Sequence, residues 1–158
     1  MKRLVIVPGL VWTLATACDG SPFTVVPVDS ELRRAPLELT VGDVTVRLEA
    51  SLWRDFQPVS PSDGKPLAVV LRIKTVDGTA IPLELHADFA WVLNGNQAWA
   101  SAVGEERRGP DSSFFEVVAR DGPKWGPGIE VDVVVRLREA SGRVALLQAR
   151  RQLIQRSD

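Results

Sequence analysis

Apolar and polar residues alternate along most of the chain. The pattern is clearest in Leu37–Val41 and Val44–Leu52, where nearly every second residue is apolar and Gly42-Asp43 separates the two runs. A period of two around a short turn is typical of an antiparallel β-hairpin with one buried face. Leu67–Ile73 and Ile129–Leu137 repeat the pattern. The sequence therefore predicts a domain built from strands.

A second hairpin is predicted around Asn94-Gly95-Asn96, which lies between the apolar runs 81–93 and 97–103. Asn-Gly between apolar strands is a strong hairpin signal. With this turn, Trp91 and Trp99 are expected to be cross-strand neighbours, in the core or half in it.

Two further segments follow towards the end of the chain. Phe114–Arg120 is predicted as a short strand, after a charged loop, "GEERRGPDS". The last element, 143–154, is predicted as a strand in its first half. Its "LLQARRQLIQR" portion also has the spacing of an amphipathic helix, so the second half stays open between the two.

These segments amount to about eight evenly spaced strands with turn residues between them. The economical arrangement is all-β, an immunoglobulin-like antiparallel β-sandwich over residues 36–158, with a small β-barrel as the alternative. The Cys–Trp–Cys pattern of antibody domains is absent because the chain has one cysteine, so the comparison concerns architecture alone. A length of 158 residues indicates one domain.

The start of the chain has a different character. Lys2 and Arg3 precede the uncharged run Leu4–Leu14, and small residues then lead to Cys18. A basic start, an apolar middle and small residues before a cleavage point form the layout of a secretory signal peptide. The apolar run is shorter than the roughly 20 residues that a membrane-spanning helix needs. We expect residues 1–17 to be a signal peptide that is removed.

The segment "LATAC" resembles the lipobox of bacterial lipoproteins. The resemblance implies cleavage just before Cys18 and a diacylglycerol thioether on its sulfur. Ala15 departs from the pattern, because leucine is commoner there. "ATA" also fits an ordinary cleavage site, which would leave a free thiol on a secreted or periplasmic protein. A third interpretation makes Cys18 a small core residue. A single cysteine cannot form an intramolecular disulfide, which favours lipidation.

Residues 18–35 contain prolines and no sustained period, which indicates a lipidated N-terminus followed by a flexible tether. Val25, Val26 and Val28 offer the alternative of an edge strand, since Pro22 and Pro27 disfavour a central one.

The charge balance restricts the partners. The chain has 19 basic and 20 acidic residues, a net charge of −1, and loss of Lys2 and Arg3 makes it 17 − 20 = −3. A weakly acidic domain lacks the basic surface that nucleic acid binding requires. No cationic amphipathic segment is present, so we expect attachment to the membrane through the lipid on Cys18.

Candidate chemistry is sparse, and we assign no catalytic residue and expect no cofactor. His86 is the one histidine, and on a strand it shares a face with Glu84 and Asp88. Such a row is a weak candidate for a divalent metal, and a solvated polar face explains it equally well. No G-x-S-x-G motif is present.

Aromatic residues that face away from the predicted core or lie in loops provide the remaining candidates for binding. Trp125 lies in a Gly/Pro-rich turn, and Trp53 with Phe56 follows the first hairpin. Exposed aromatic side chains are common platforms for sugars and partner proteins. The alternative is that they cover the end of the core.

The sequence thus predicts a lipid-anchored cell-envelope protein with a non-enzymatic binding or assembly domain, for an envelope protein or a glycan. The alternatives are a small envelope hydrolase that uses carboxylates, and a weak metal-binding or chaperone domain around His86.

Overall fold

The computed structural model describes residues 23–158. Nearly all of the regular structure in these residues is strand, which confirms the all-β class, and the one helix among them, α1, spans Ser30–Arg34. The strands of the described residues are β1 (Thr24–Pro27), β2 (Glu38–Val41), β3 (Val44–Asp55), β4 (Leu67–Thr75), β5 (His86–Asn94), β6 (Gln97–Ala102), β7 (Gly104–Arg108), β8 (Phe114–Gly122), β9 (Glu130–Arg138) and β10 (Val144–Ser157).

The ten strands form one mixed sheet in the order β1-β6-β5-β9-β10-β3-β4-β8-β7, with β2 added beside β3. All neighbouring pairs are antiparallel except β10 and β3, which are parallel. The sheet curls into a half-barrel. The immunoglobulin-like sandwich, which is the finer prediction, is not confirmed, because hydrogen bonding continues from one half of the sheet into the other.

Strand β10 joins the two halves. It pairs with β9 from Val144 to Leu153 and then with β3 from Ile154 to Ser157. Just before the change of partner, the register with β9 shifts between Ala149 and Gln152, and Arg151 adopts a positive φ of 54°. The Arg151 backbone N–H donates to the Asp132 carboxylate at 2.8 Å, which holds this irregularity in place. The last element is therefore a strand throughout, and the helical alternative for its second half is wrong.

The β5–β6 hairpin places two tryptophans on opposite faces of the sheet. Asn94 pairs with Gln97, which leaves a two-residue loop with Gly95 at φ 58°. In this register Trp91 lies opposite Ala100, and Trp99 lies opposite Val92. Because side chains alternate between faces, Trp99 enters the core and Trp91 lies on the outer face. The expectation that the two rings are cross-strand neighbours is wrong.

The main core fills the inside of the half-barrel. Its largest fully buried side chains come from both halves and include Trp99, Phe115, Leu52, Leu71, Leu137 and Ile154. A second, smaller core lies on the outer face of the β1–β6–β5–β9–β10 half, where α1 covers the sheet; it consists of Leu32, Ala35, Leu93, Ala98 and Val134.

Residues 24–34, within the predicted tether, are built into the domain as β1 and α1. The edge-strand alternative describes β1, which pairs with β6. The Val28 N–H donates to the Asn96 carbonyl at 3.1 Å. Because successive backbone N–H groups of a strand point to opposite edges, the position of Pro27 faces the free edge, where a missing N–H is tolerated. The predictions for the signal peptide and Cys18 lie outside the described residues. Between residues 23 and 158, no helix is long and apolar enough to cross a membrane.

Gly122 allows β8 to pass close to the core tryptophan. A Cβ atom at Gly122 would lie 2.7 Å from the Trp99 ring, whereas a Cβ atom at Gly104 would meet nothing within 4 Å. We expect Gly122→Ala to destabilise the protein by about 1–3 kcal/mol through overpacking. Gly104→Ala is the matched control, with an expected change within about 0.5 kcal/mol. Urea denaturation measures both free energies of unfolding, and equal values for the two variants would contradict this account of the Trp99 contact.

Candidate functional site

A groove of about 500 Å³ crosses the outer face of the sheet beside α1. It is lined by residues of β1, α1, β5, β9 and β10. Trp91 and Leu146 belong to its floor, and Val26 and Val144 lie towards its two ends. A volume of this size is in the range of ligand-binding clefts, which are typically mostly apolar with a few fixed polar groups.

The aromatic part of the groove follows from the register of β5. Phe89 and Trp91 are two residues apart on one strand and share the outer face, with ring centroids 4.9 Å apart and planes tilted by 55°. Their partners on β6 are Ala102 and Ala100. These small side chains leave the aromatic rings uncovered on that side, so Trp91 remains partly exposed.

A β-bulge aims Asp88 at a pair of arginines. Ala87 pairs with Leu137 and Phe89 with Arg136, so Asp88 is the extra residue in β5. Arg136 donates to both Asp88 carboxylate oxygens, at 2.7 and 3.0 Å, and Arg138 adds bonds of 2.8 and 3.3 Å. The hydrogen bonds from Arg136, and to a smaller extent those from Arg138, hold the pKa of Asp88 below its usual value. Arg136 is thereby fixed at the groove, with its guanidinium 5.4 Å from the Phe89 centroid.

Helix α1 forms the opposite wall. The Asp29 carboxylate caps the helix by accepting the Glu31 N–H at 2.8 Å, and buried Leu32 fixes the helix to the sheet. Arg33 turns away to the hairpin tip, where it donates to the Gly95 carbonyl at 2.5 Å. Asp29 and Glu31 therefore bring two exposed carboxylates to the groove.

Glu84, His86 and Asp88, the weak candidates for a metal site, have different surroundings in the structure. His86 Nδ1 lies 3.1 Å from Glu106 Oε2, on β7, and Asp88 is engaged by its two arginines. Glu84 is exposed in the turn before β5. Within residues 23–158, no group of three or more His, Cys, Asp or Glu side chains is placed to hold a metal ion.

A buried arginine, Arg54, lies beside the Phe56 ring and the loop that contains Trp125, while Trp53 precedes it on β3. Arg54 is only 4% exposed, and it donates to backbone carbonyls of both neighbouring loops. The acceptors are Asp63, Lys65 at 3.0 Å, Lys124 at 3.1 Å and Gly126 at 2.8 Å. This burial lowers the pKa of Arg54.

These aromatic side chains are packed against their surroundings. Trp125 is half-buried against the main core, and Trp53 is half-buried on β3. The Phe56 ring lies between the guanidiniums of Arg54 and Arg156, 5.0 and 4.2 Å from its centroid. For Trp125, the contact with the main core favours the alternative in which the side chain covers the end of the core.

Comparison of the chain with protein-family models, with curated proteins and with solved structures gave no match. No relative therefore indicates what the groove binds, and its properties follow from the residues that line it. The sequence does not show Trp91 to be a surface residue, because Asn94-Gly95-Asn96 is also compatible with a three-residue loop that would put Trp91 and Trp99 on one face. The two-residue loop of the structure puts the two tryptophans on opposite faces.

The Asp88 cluster predicts a specific pH dependence. Because the pKa of Asp88 is lowered in the folded state, its stabilising contribution is present above the usual value of 3.8 and is lost as the pH falls below it. We expect Asp88→Asn to reduce the free energy of unfolding at neutral pH, with a difference from the parent that shrinks below about pH 4.

Urea titrations across this pH range measure the effect. Asp43→Asn serves as control, since Asp43 is exposed and has no ion pair among the described residues. A difference for Asp88→Asn that is constant with pH would contradict the role of the carboxylate charge.

Proposed function

We propose that this chain is a lipid-anchored cell-envelope protein whose β-domain is a non-enzymatic binding module, with the groove beside Trp91 as its binding surface. The observation that carries the binding role is the groove itself. A partly exposed aromatic floor lies between an arginine fixed by its own carboxylate and a helix wall with two carboxylates. Apolar contact area with a few fixed polar groups is the usual composition of a binding cleft.

The anchor is supported by the layout of the first 18 residues. A signal-like start, a lipobox-like segment and a single cysteine occur together. Strand β1 begins at Thr24, six residues after Cys18 (24 − 18 = 6). Six residues reach at most about 20 Å, so an anchored domain would be held close to the membrane surface.

Five carboxylates of the domain serve as hydrogen-bond acceptors in their charged form, which differs from the requirement for a general acid. A general acid working near neutral pH needs a raised pKa. Each resolved shift of a carboxyl pKa in the described chain is downward, because a hydrogen bond stabilises the charged form. Each carboxyl group and the side-chain donor with the largest effect on its pKa are Asp55 with Lys65, Asp63 with Lys124, Asp77 with Thr79, Asp88 with Arg136, and Glu105 with Arg120.

The scaffold suits a binding module. We regard the curled sheet as a relative of the immunoglobulin-like sandwich, because side chains from its two halves meet face to face in one core. Such architecture presents one outer face of a rigid sheet to a partner.

The anchor is tested by the intact mass of the mature protein from the membrane fraction of its host. We expect a chain that starts at Cys18 and carries two or three acyl chains. Cys18→Ala should be left uncut or lost from the membrane, because the attachment site is gone. A mass that starts at Met1, or an unmodified protein in the cytoplasm, would overturn the anchoring.

The binding surface is tested by a photo-crosslinking residue placed at Val144, a groove residue that is 50% exposed. The same residue at Leu153, which is 52% exposed and does not line the groove, is the matched control. We expect a discrete adduct in intact cells at Val144 and none at Leu153, because only the groove contacts a partner. Adducts of equal yield at both positions, or at Leu153 alone, would contradict the assignment.

A further inference from the structure

We infer that the groove binds an extended peptide segment in which apolar side chains are flanked by lysine or arginine. The inference rests on the proposed binding role of the groove, and it is independent of the lipid anchor. It is drawn from the apolar content of the groove, the balance of its charges and its course across the strands.

The groove needs an apolar occupant. Seven of its ten lining residues are apolar, and three are charged. Trp91 supplies an aromatic face in the floor, while Val144 and Leu146 supply aliphatic surface. An apolar side chain placed here removes this surface from water, which is the main favourable contribution to most association. A fully polar ligand would leave that contribution unused.

The charge that remains uncompensated in the groove is negative. Arg136 and Arg138 share the single Asp88 carboxylate, so these three groups carry a net charge of +1, and with Asp29 and Glu31 the five groups sum to 2 − 3 = −1. Asp29 and Glu31 line the other wall and form no ion pair within residues 23–158. Two carboxylates beside an apolar floor attract a cationic side chain and repel an anionic one.

A glycan suits the groove less well than a peptide. Sugars depend on several side-chain hydrogen bonds in addition to stacking on an aromatic ring. The Arg136 guanidinium already donates Nε and Nη2 to Asp88. One Asp29 oxygen already accepts the Glu31 N–H. Arg136, the charged donor among the lining residues, is therefore partly engaged within the protein, whereas the Glu31 carboxylate and the second Asp29 oxygen stay available to a cationic side chain.

The course of the groove sets the length of the occupant. It runs across the sheet from β1 to β10, and the order β1-β6-β5-β9-β10 contains four spacings between strands. At about 4.8 Å each, the spacings sum to about 19 Å. An extended peptide advances roughly 3.3 Å per residue, so a segment of about five or six residues spans the groove.

The test measures the binding of labelled pentapeptides to the purified full-length protein by fluorescence anisotropy. The probe is acetyl-Lys-Leu-Val-Leu-Lys-amide. One comparison peptide replaces both lysines by glutamate, and a second replaces the three apolar residues by serine. Chitotriose, a neutral oligosaccharide, is measured in parallel as a competitor. Each titration is made at low and at high salt.

We expect saturable binding of the basic–apolar peptide, at least tenfold weaker binding of either comparison peptide, and no competition by chitotriose. High salt should weaken the binding, because the exposed charges are screened. Asp29→Asn with Glu31→Gln should weaken it by about tenfold at low salt. Asparagine is itself a good N-cap residue, so this variant removes charge and keeps the end of the helix.

The matched control is Glu84→Gln with Asp111→Asn, which removes two exposed carboxylates outside the groove and should leave the affinity unchanged. Equal binding of the glutamate peptide, or equal loss of affinity in both double variants, would overturn the inference. Absence of saturable binding of the basic–apolar peptide would overturn it as well, and displacement of the bound peptide by chitotriose would assign the groove to glycans and would also overturn it. None of these results depends on the mass at Cys18, so failure of the anchor and failure of the peptide site are distinguishable.

Discussion

The whole arrangement depends on the way strand β10 changes partner. Its first ten residues complete the half that contains β9, and its last four extend the half that contains β3. The irregularity at Arg151, fastened by the Asp132 carboxylate, lies between the two pairings, and a bulge of this kind bends a strand and increases its twist. The two halves can then close over one core, with Leu147 and Ile154 of β10 buried on either side of the bend.

Two arginine side chains hold loops of the domain in place by donating to backbone carbonyls. Arg54 donates to four backbone carbonyls of two loops, and Arg108 donates to the carbonyls of Pro82 and Leu85 while its guanidinium lies 4.2 Å from the Phe115 centroid. Loops without regular pairing leave carbonyls that need a donor when they are covered. A planar guanidinium with several N–H groups meets this need at several acceptors at once. The loops at both places are thus fastened to strands, which favours a rigid scaffold.

The proposed binding surface results from the same rigidity. Helix α1 has five residues and covers only part of the outer face of the sheet. The outer face around Trp91 therefore stays open beside the helix as the groove. The Asp88 bulge then fixes Arg136 at the edge of that row. A surface of this kind needs little rearrangement to bind, so the contacts with a partner are not offset by the cost of ordering the site.

The sequence by itself determined the all-β class, most strand positions and the acidic balance of charge, because these depend on local alternation, turn residues and composition. It also carries the lipobox-like start on which the anchor proposal rests. Tertiary structure decided the rest. Whether Trp91 faces the core or the solvent depends on one residue of hairpin register, and Glu106 and Arg136 reach His86 and Asp88 from other strands. Local pattern does not contain such pairings, because they form only when the curled sheet brings distant strands into contact.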